Sequence, residues 1–231
     1  MIGVHVNGGL AESVVVPAAR VFPLPPDLSP EAATLCEPFS IGMQAMARGA
    51  IDADDRVAIL GAGPIGLTVL AIAKSRGAQV AMIDLLDSRL AFAQRLGADL
   101  TINGSSANPT DMILEWTDGE GASAVVEATG NARAVESTVD LVASAGRIVL
   151  VGVTTKPVTF PGLDFTRKEL TIHGSRNSAS VFGEAVSFVS KQRDVVSAMV
   201  THRFGFDEVM RAFETADTQP EAVCKAVITI K

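Results

Sequence analysis

Tyrosine is absent from the 231 residues, tryptophan occurs once at Trp116, cysteine only at Cys36 and Cys224, and histidine only at His5, His173 and His202. Two thiols so far apart in sequence exclude a disulfide framework and a four-cysteine zinc loop within this chain, and they fit a reduced, cytoplasmic protein. None of the histidines stands beside a glutamate or at ligand spacing from a second donor, so each reads as structural or solvated. A basic block is missing too. Lys plus Arg is 19 and Asp plus Glu is 26, a net charge of −7, which argues against a nucleic-acid or anionic-membrane partner. There is no long apolar run: the longest uncharged stretch, Val57 to Ala73, is broken by Gly61, Gly63, Pro64 and Gly66, and Met1 to Leu10 has no basic region followed by an apolar core. No membrane span or signal peptide is expected. What remains is a foldable composition, 48% hydrophobic and 19% charged, with length enough for one large domain and an accessory part.

Up to about Asp27 the chain reads as short strands and turns, with Asn7-Gly8-Gly9 as a tight turn and Ser13 to Pro17 as a strand. Ser29-Pro30-Glu31 reads as a helix cap with proline in the first turn, leading into a helix or helix pair through Ala47. From Arg56 short β-rich runs alternate with longer helical stretches, the pattern of crossover units around a parallel sheet buried on both faces. Strands are expected at Arg56 to Leu60, Gln79 to Ile83, Leu100 to Asn103, Ala124 to Ala128, Arg147 to Val151 and Leu170 to Gly174. Helices are expected to begin near Pro64, Asp87, Pro109 and Ala132, with Gly77, Gly97 and Gly146 where helices stop. The expected class is α/β, a doubly wound six-stranded parallel sheet. Beyond Ser175 the pattern predicts helix (Phe182 to Lys191), strand (Ala198 to Arg203), helix (Phe206 to Ala216) and strand (Val223 to Ile230), the last pairing with the amino-terminal segment.

Gly61-Ala-Gly63-Pro64-Ile65-Gly66 follows the first of these strands directly and opens a helix. The first glycine permits the tight turn, the second lets backbone approach a pyrophosphate, and the third allows close packing of helix on strand, with the phosphates at the positive helix end. Three glycines alone also describe a plain turn; strand, motif, helix, second strand and acid in order favour the nucleotide reading. The acid is Asp84, at the end of the second strand and 18 residues after Gly66. It is placed to accept from ribose hydroxyls and to repel a 2′-phosphate, which selects NAD over NADP, although a capping aspartate looks the same in sequence. Arg89 is placed to pair with Asp84 or to lie beside the adenosine. Glu127-Ala-Thr129-Gly130 and Val149-Leu-Val151-Gly152-Val153 end the fourth and fifth strands in small residues, and these ends should line the cleft beneath the cofactor.

Together with Glu37-Pro-Phe-Ser-Ile-Gly42, Leu96-Gly-Ala-Asp99, Gly174-Ser-Arg-Asn177 and Thr201-His-Arg-Phe204, these residues resemble the zinc-dependent medium-chain dehydrogenase/reductase family. The polyol and sugar-acid branch, with sorbitol, threonine and galactonate or gulonate 5-dehydrogenases, is the nearest in pattern. The resemblance implies a Rossmann domain at 37–180, the remnant of a GroES-like β-rich catalytic domain at 1–36, and a helix-strand segment at 181–231 returning to that remnant. It implies NAD contacts from Ile65, Asp84, Arg89, Thr129, Val151 to Val153 and Ser175, Arg176 and Asn177, and it places Glu37 at or near a catalytic zinc. Arg176 and Asn177 also stand where a hydroxylated or carboxylated substrate is met. Complete members carry an amino-terminal segment with a catalytic cysteine and a His-Glu pair that this sequence does not contain, so zinc is expected to be not stably bound.

The leading expectation is an NAD-dependent dehydrogenase chain that binds its cofactor, with little turnover alone on an alcohol, polyol or sugar acid. A zinc-independent reductase of the same superfamily and a non-catalytic nucleotide-binding or assembly module stand beside it. A homodimer or larger oligomer is expected, through the sixth strand.

Overall fold

The computed structural model describes residues 3–230. Six parallel strands, β1 (Arg56–Leu60), β2 (Gln79–Asp84), β3 (Leu100–Asn103), β4 (Ala122–Glu127), β5 (Val142–Leu150) and β6 (Thr171–Gly174), form one sheet in the order β3-β2-β1-β4-β5-β6. Chain order reverses between β1 and β4, so the crevice at their carboxyl ends is the place where a doubly wound sheet opens to a ligand.

Side chains along a strand alternate between faces, and here both faces are covered. Val57 and Ile59 of β1, with Val80, Met82, Val126 and Val149, join one core, while Ala58 and Leu60, with Ala81, Ile83, Val125 and Ile148, join the other. The first core is roofed by α2 (Cys36–Arg48), α3 (Pro64–Arg76) and α8 (Phe182–Lys191). The helix α3 is buried from Gly66 through Ala73, because it is held between the sheet and α2, and it ends at Gly77 with φ +97°. The second core is covered by α5 (Pro109–Trp116) and α6 (Ala132–Leu141). Helix α4 (Asp87–Arg95) packs beside β2 and β3. Near the amino terminus, Ser29 caps α1 (Pro30–Ala33) by accepting from the Ala32 amide at 3.1 Å.

Several expectations are corrected. The terminal strand β8 (Lys225–Thr229) pairs in parallel with β7 (Val200–Gly205), not with the amino-terminal segment. A parallel pair needs a crossover, and α10 (Val209–Thr218) supplies it. Residues 13–17 form no strand, and among the described residues the segment through Asp27 holds turns, bends, one bridge residue at Val6 and a 3-10 turn at Ala18–Arg20. Its apolar side chains are exposed, Val15 at 97%. Gly146 does not stop a helix. It lies inside β5, which starts directly after α6, and a Cβ there would come within 2.8 Å of the Ala143 carbonyl. The unanticipated α7 (Gly162–Lys168) is short and polar, anchored through Phe165. The strand expected from Ala198 begins only at Val200, because α9 (Arg193–Met199) precedes it.

Candidate functional site

The turn from β1 into α3 carries the glycine motif, and each glycine meets a different constraint. Gly61 has φ +101°, its amide donating to the Ile83 carbonyl at 2.8 Å. A Cβ on Gly66 would lie 1.8 Å from the Gly61 carbonyl oxygen, so the helix seats on the turn only without a side chain. A Cβ on Gly63 would meet nothing within 4 Å. Protein packing does not demand glycine at Gly63, which caps the amino end of α3 beside the first cleft, a place where an anion can meet unbonded amides.

Asp84 closes this turn from below. Its Oδ2 accepts from the Ala62 amide at 2.7 Å, and its Oδ1 accepts from the Leu85 and Leu86 amides at 2.8 and 3.0 Å. The carboxylate is thus fixed between the glycine turn and the start of α4 by three backbone donors. Arg89 Nη1 stands 3.9 Å from Asp84 Oδ2, and Arg89 Nη2 donates to the Pro220 carbonyl at 2.8 Å. A cleft of ≈ 470 Å³ opens here between Gly63, Pro64 and Arg89 on one side and Pro220 to Cys224 on the other. Burial pushes the Cys224 thiol up to about 11.

A second cleft, of ≈ 780 Å³, lies across the carboxyl ends of β4, β5 and β6. Ile65, Thr129, Val151, Gly152, Val153, Ser175, Arg176 and Asn177 all line it, with Ile41 of α2. The two clefts meet at the start of α3, where Pro64 lines one and Ile65 the other. Of the residues expected at the cofactor, Gly63, Pro64 and Arg89 line the first hollow and Ile65, Thr129, Val151 to Val153 and Ser175 to Asn177 the second, while Gly61, Gly66 and Asp84 line neither and lie in the turn and strand end behind them. Ser175 is 8% exposed and its hydroxyl has no hydrogen-bond partner among the described residues. Asn177 takes φ +54°, a left-handed conformation that asparagine tolerates better than most residues.

Between β4 and β5 the chain packs backbone on backbone. Glu127 is fully buried; its Oε1 accepts from the Thr129 amide at 2.7 Å, from the Gly130 amide at 3.0 Å and from the Thr129 hydroxyl. A Cβ on Gly152 would lie 2.1 Å from the Gly130 nitrogen and 2.5 Å from Glu127 Oε2. A buried carboxylate bonded to turn amides is satisfied without a cation, and it sets the shape of the cleft floor.

Glu37 stands apart from this arrangement. It lies exposed in the first turn of α2, and among the described residues no three His, Cys, Asp or Glu side chains come together as a metal could use them. A catalytic zinc takes three protein ligands. The described residues around Glu37 do not fit that ion. His173 lies on β6, and His202 on β7 is bonded to the Thr201 hydroxyl at 2.9 Å through Nδ1. Sequence reasoning missed two contributors. Glu127 was legible only as part of a strand end, and the 220–224 loop carries no motif, reaching the cleft solely through tertiary packing.

A family model described as zinc-binding dehydrogenase matches residues 64–191. L-galactonate-5-dehydrogenase of Escherichia coli (strain K12) is 36% identical over 232 residues, covering 99% of this chain and 67% of that protein. Sorbitol dehydrogenase of Rattus norvegicus is 35% identical over 213 residues, covering 91% of this chain and 60% of that one. Among solved structures, an Escherichia coli CFT073 protein described as a short chain alcohol dehydrogenase, complexed with NADH, superposes with a TM-score of 0.93 at 31% identity, over 99% of this chain and 68% of its own. The chain thus spans 60 to 67% of the length of these two curated relatives. No helix among the described residues is long and apolar enough to cross a membrane.

Proposed function

We propose, from the premise that this chain belongs to the zinc-type alcohol dehydrogenase-like family of medium-chain dehydrogenases, that it binds NAD along its two adjoining clefts and serves hydride transfer from a secondary alcohol of a polyol or sugar acid. The observation that carries the reading is the glycine turn: Gly66 is required by packing, Gly63 by nothing in the protein. Room kept for backbone to approach a ligand at a helix amino end is the signature of a diphosphate site.

Bound NAD supplies the hydride acceptor. The chain's own residues hold and orient it. Gly61, Gly63, Pro64, Ile65 and Gly66 present the helix end to the diphosphate. Asp84, its backbone bonds already made, offers remaining lone pairs to ribose hydroxyls and repels a 2′-phosphate. Arg89 stands between that carboxylate and Pro220, beside the adenosine. Thr129, Val151 to Val153 and Ser175 to Asn177 form the wall of the second cleft, where small side chains let a flat ring lie near the backbone. In this reading 37–180 is the cofactor unit, with 1–36 and 181–231 flanking it. Both cysteines are free thiols, as the cytoplasm keeps them. β6 is an edge strand of the sheet, and a second copy adding to it is the expected route to a homodimer.

One observation favours a second reading, a dinucleotide-binding module without turnover of its own: among the described residues no His, Cys, Asp or Glu cluster that could hold a metal includes Glu37. A titration of the purified chain with NADH, followed by fluorescence and heat, with NADPH as control and alcohol turnover and metal content on the same sample, tests both. Saturable NADH binding at least about tenfold tighter than NADPH is expected. Absence of NADH binding at about millimolar concentration overturns the cofactor reading. Binding without turnover of polyols or sugar acids moves the module reading forward.

A further inference from the structure

The carboxyl-terminal segment rests on the rest of the chain mainly through apolar side chains. Val200 and Val227 belong to the first core, Cys224 packs against it, and Arg203 pairs with Glu31 of α1. Among the described residues a single hydrogen bond joins 200–230 to 37–180: Arg89 Nη2 donates to the Pro220 carbonyl at 2.8 Å. That bond spans the first cleft, since Arg89 lines one side of it and Pro220 the other.

The two ends of this link differ in firmness. On one side Arg89 stands in α4 with Nη1 3.9 Å from Asp84 Oδ2, a carboxylate already fixed by the Ala62, Leu85 and Leu86 amides. On the other, Gln219 to Ala222 are exposed and lie between α10 and β8, outside any helix or strand. The remaining bonds of this loop stay within the carboxyl-terminal segment: the Ala222 and Val223 amides donate to the Gln219 carbonyl at 3.0 and 3.2 Å, and the Cys224 amide to the Thr201 hydroxyl at 3.0 Å. An exposed loop with one outside bond opens at little cost, while the anchored carboxylate stays where it is.

We propose that residues 219–224 are a strap that closes over a dinucleotide in the first cleft, and that Arg89 is the positioning residue that fastens it. The inference rests on the cofactor reading above, in which the diphosphate lies at the start of α3. Arg89 has donors enough to serve both sides, so its guanidinium carries the position of Asp84 across to the loop. A ligand between the two walls touches both and favours the closed arrangement, by no more than its difference in affinity for closed and open. Conversely, a chain whose strap is open for part of the time binds more weakly in proportion to the closed fraction.

The test is limited digestion of the purified chain by a protease that cleaves after glutamate, with and without NADH. Glu221 is exposed in the strap, and Glu12, exposed in the amino-terminal segment and lining neither cleft, is the internal control. Saturating NADH is expected to slow cleavage after Glu221 at least about tenfold and to leave Glu12 unchanged, because cleavage tracks the open population. Without ligand, Arg89→Gln should be cut after Glu221 at least about fivefold faster, and Arg89→Lys, which keeps one charged donor, should recover part of the difference. Pro220→Gly loosens the loop and leaves Arg89 and Asp84 in place; it should also quicken cleavage and weaken NADH about two- to threefold. Cleavage after Glu221 that Arg89→Gln does not quicken overturns the proposal. So does NADH binding weakened in Arg89→Gln and unchanged in Pro220→Gly, the behaviour of an arginine that touches the ligand without closing a loop. If NADH does not bind at all, the cofactor reading fails, and the rates without ligand still decide whether Arg89 holds the loop.

Discussion

The two ends of the same sheet handle charge in opposite ways. At the amino ends of the strands, side chains neutralise one another: Asp55 accepts from the Ser123 hydroxyl at 2.6 Å and pairs with Arg147, whose other Nη donates to the Ala50 carbonyl at 3.1 Å, and Arg56 pairs with Asp118 at 3.1 Å. At the carboxyl ends, the acids Asp84 and Glu127 bond chiefly to backbone amides of turns, and the cations there, Arg89 and Arg48, donate to the Pro220 and Gly174 carbonyls at 2.8 and 3.1 Å. The first end is closed by its own side chains and carries stability. The second has its turns fixed by carboxylates and its clefts open, which is the condition for binding something else.

That contrast can be broken at either end. The largest loss of stability is expected from Asp55→Ala, which leaves Arg147 and the Asp52 amide without their acceptor. Removing one member of a mostly buried pair costs roughly 3 kcal/mol or more, read as a lowered urea midpoint, with NADH affinity unchanged in the folded fraction. Gly66→Ala attacks the other end. Forcing a Cβ against the Gly61 carbonyl should cost about 2–3 kcal/mol and, unlike the first variant, abolish NADH binding in a fluorescence titration.

Glu127→Gln is a finer cut. It keeps shape but replaces one acceptor oxygen with donors facing the Thr129 and Gly130 amides, and about 1–3 kcal/mol should be lost together with part of the NADH affinity. Cys224 tests the boundary between the sheet and the carboxyl-terminal segment. Its thiol is raised from 9.0 to about 11 by burial, so on unfolding it gives up a proton that the folded chain retains. Its contribution is fully present below pH 9 and is lost as pH rises to about 11. The difference in unfolding free energy between the unsubstituted chain and Cys224→Ala should drift over that window alone. The smallest effect belongs to Asp118→Asn: the pair with Arg56 is exposed, Asp118 at 83%, and less than about 0.5 kcal/mol is expected in thermal unfolding.

The legible parts of the fold share a property. The runs at Arg56 and Gln79 are apolar at consecutive positions because both faces of their strands are covered, and the glycine turn is recognisable because strand, turn and helix are neighbours in sequence. Asp84 was legible as an acid at the end of the second strand, but its three amide bonds were not, since the Ala62 partner sits 22 positions away. The pairing of β8 with β7 was misassigned to the amino-terminal segment for a similar reason: alternation marks a strand and says nothing of which edge accepts it.

What the sequence determined by itself is the doubly wound core and the kind of group its first turn receives, since both follow from local spacing: glycine where a backbone must bend or be approached, apolar residues where neither face sees water. Only the tertiary structure decided that Pro220 to Cys224 form the far wall of the first cleft, Arg89 reaching Pro220 across 131 positions. It also decided that Glu127 supports the second cleft from below, its Oε1 bonded to the Thr129 and Gly130 amides. The walls of a cleft come from residues that only folding brings together.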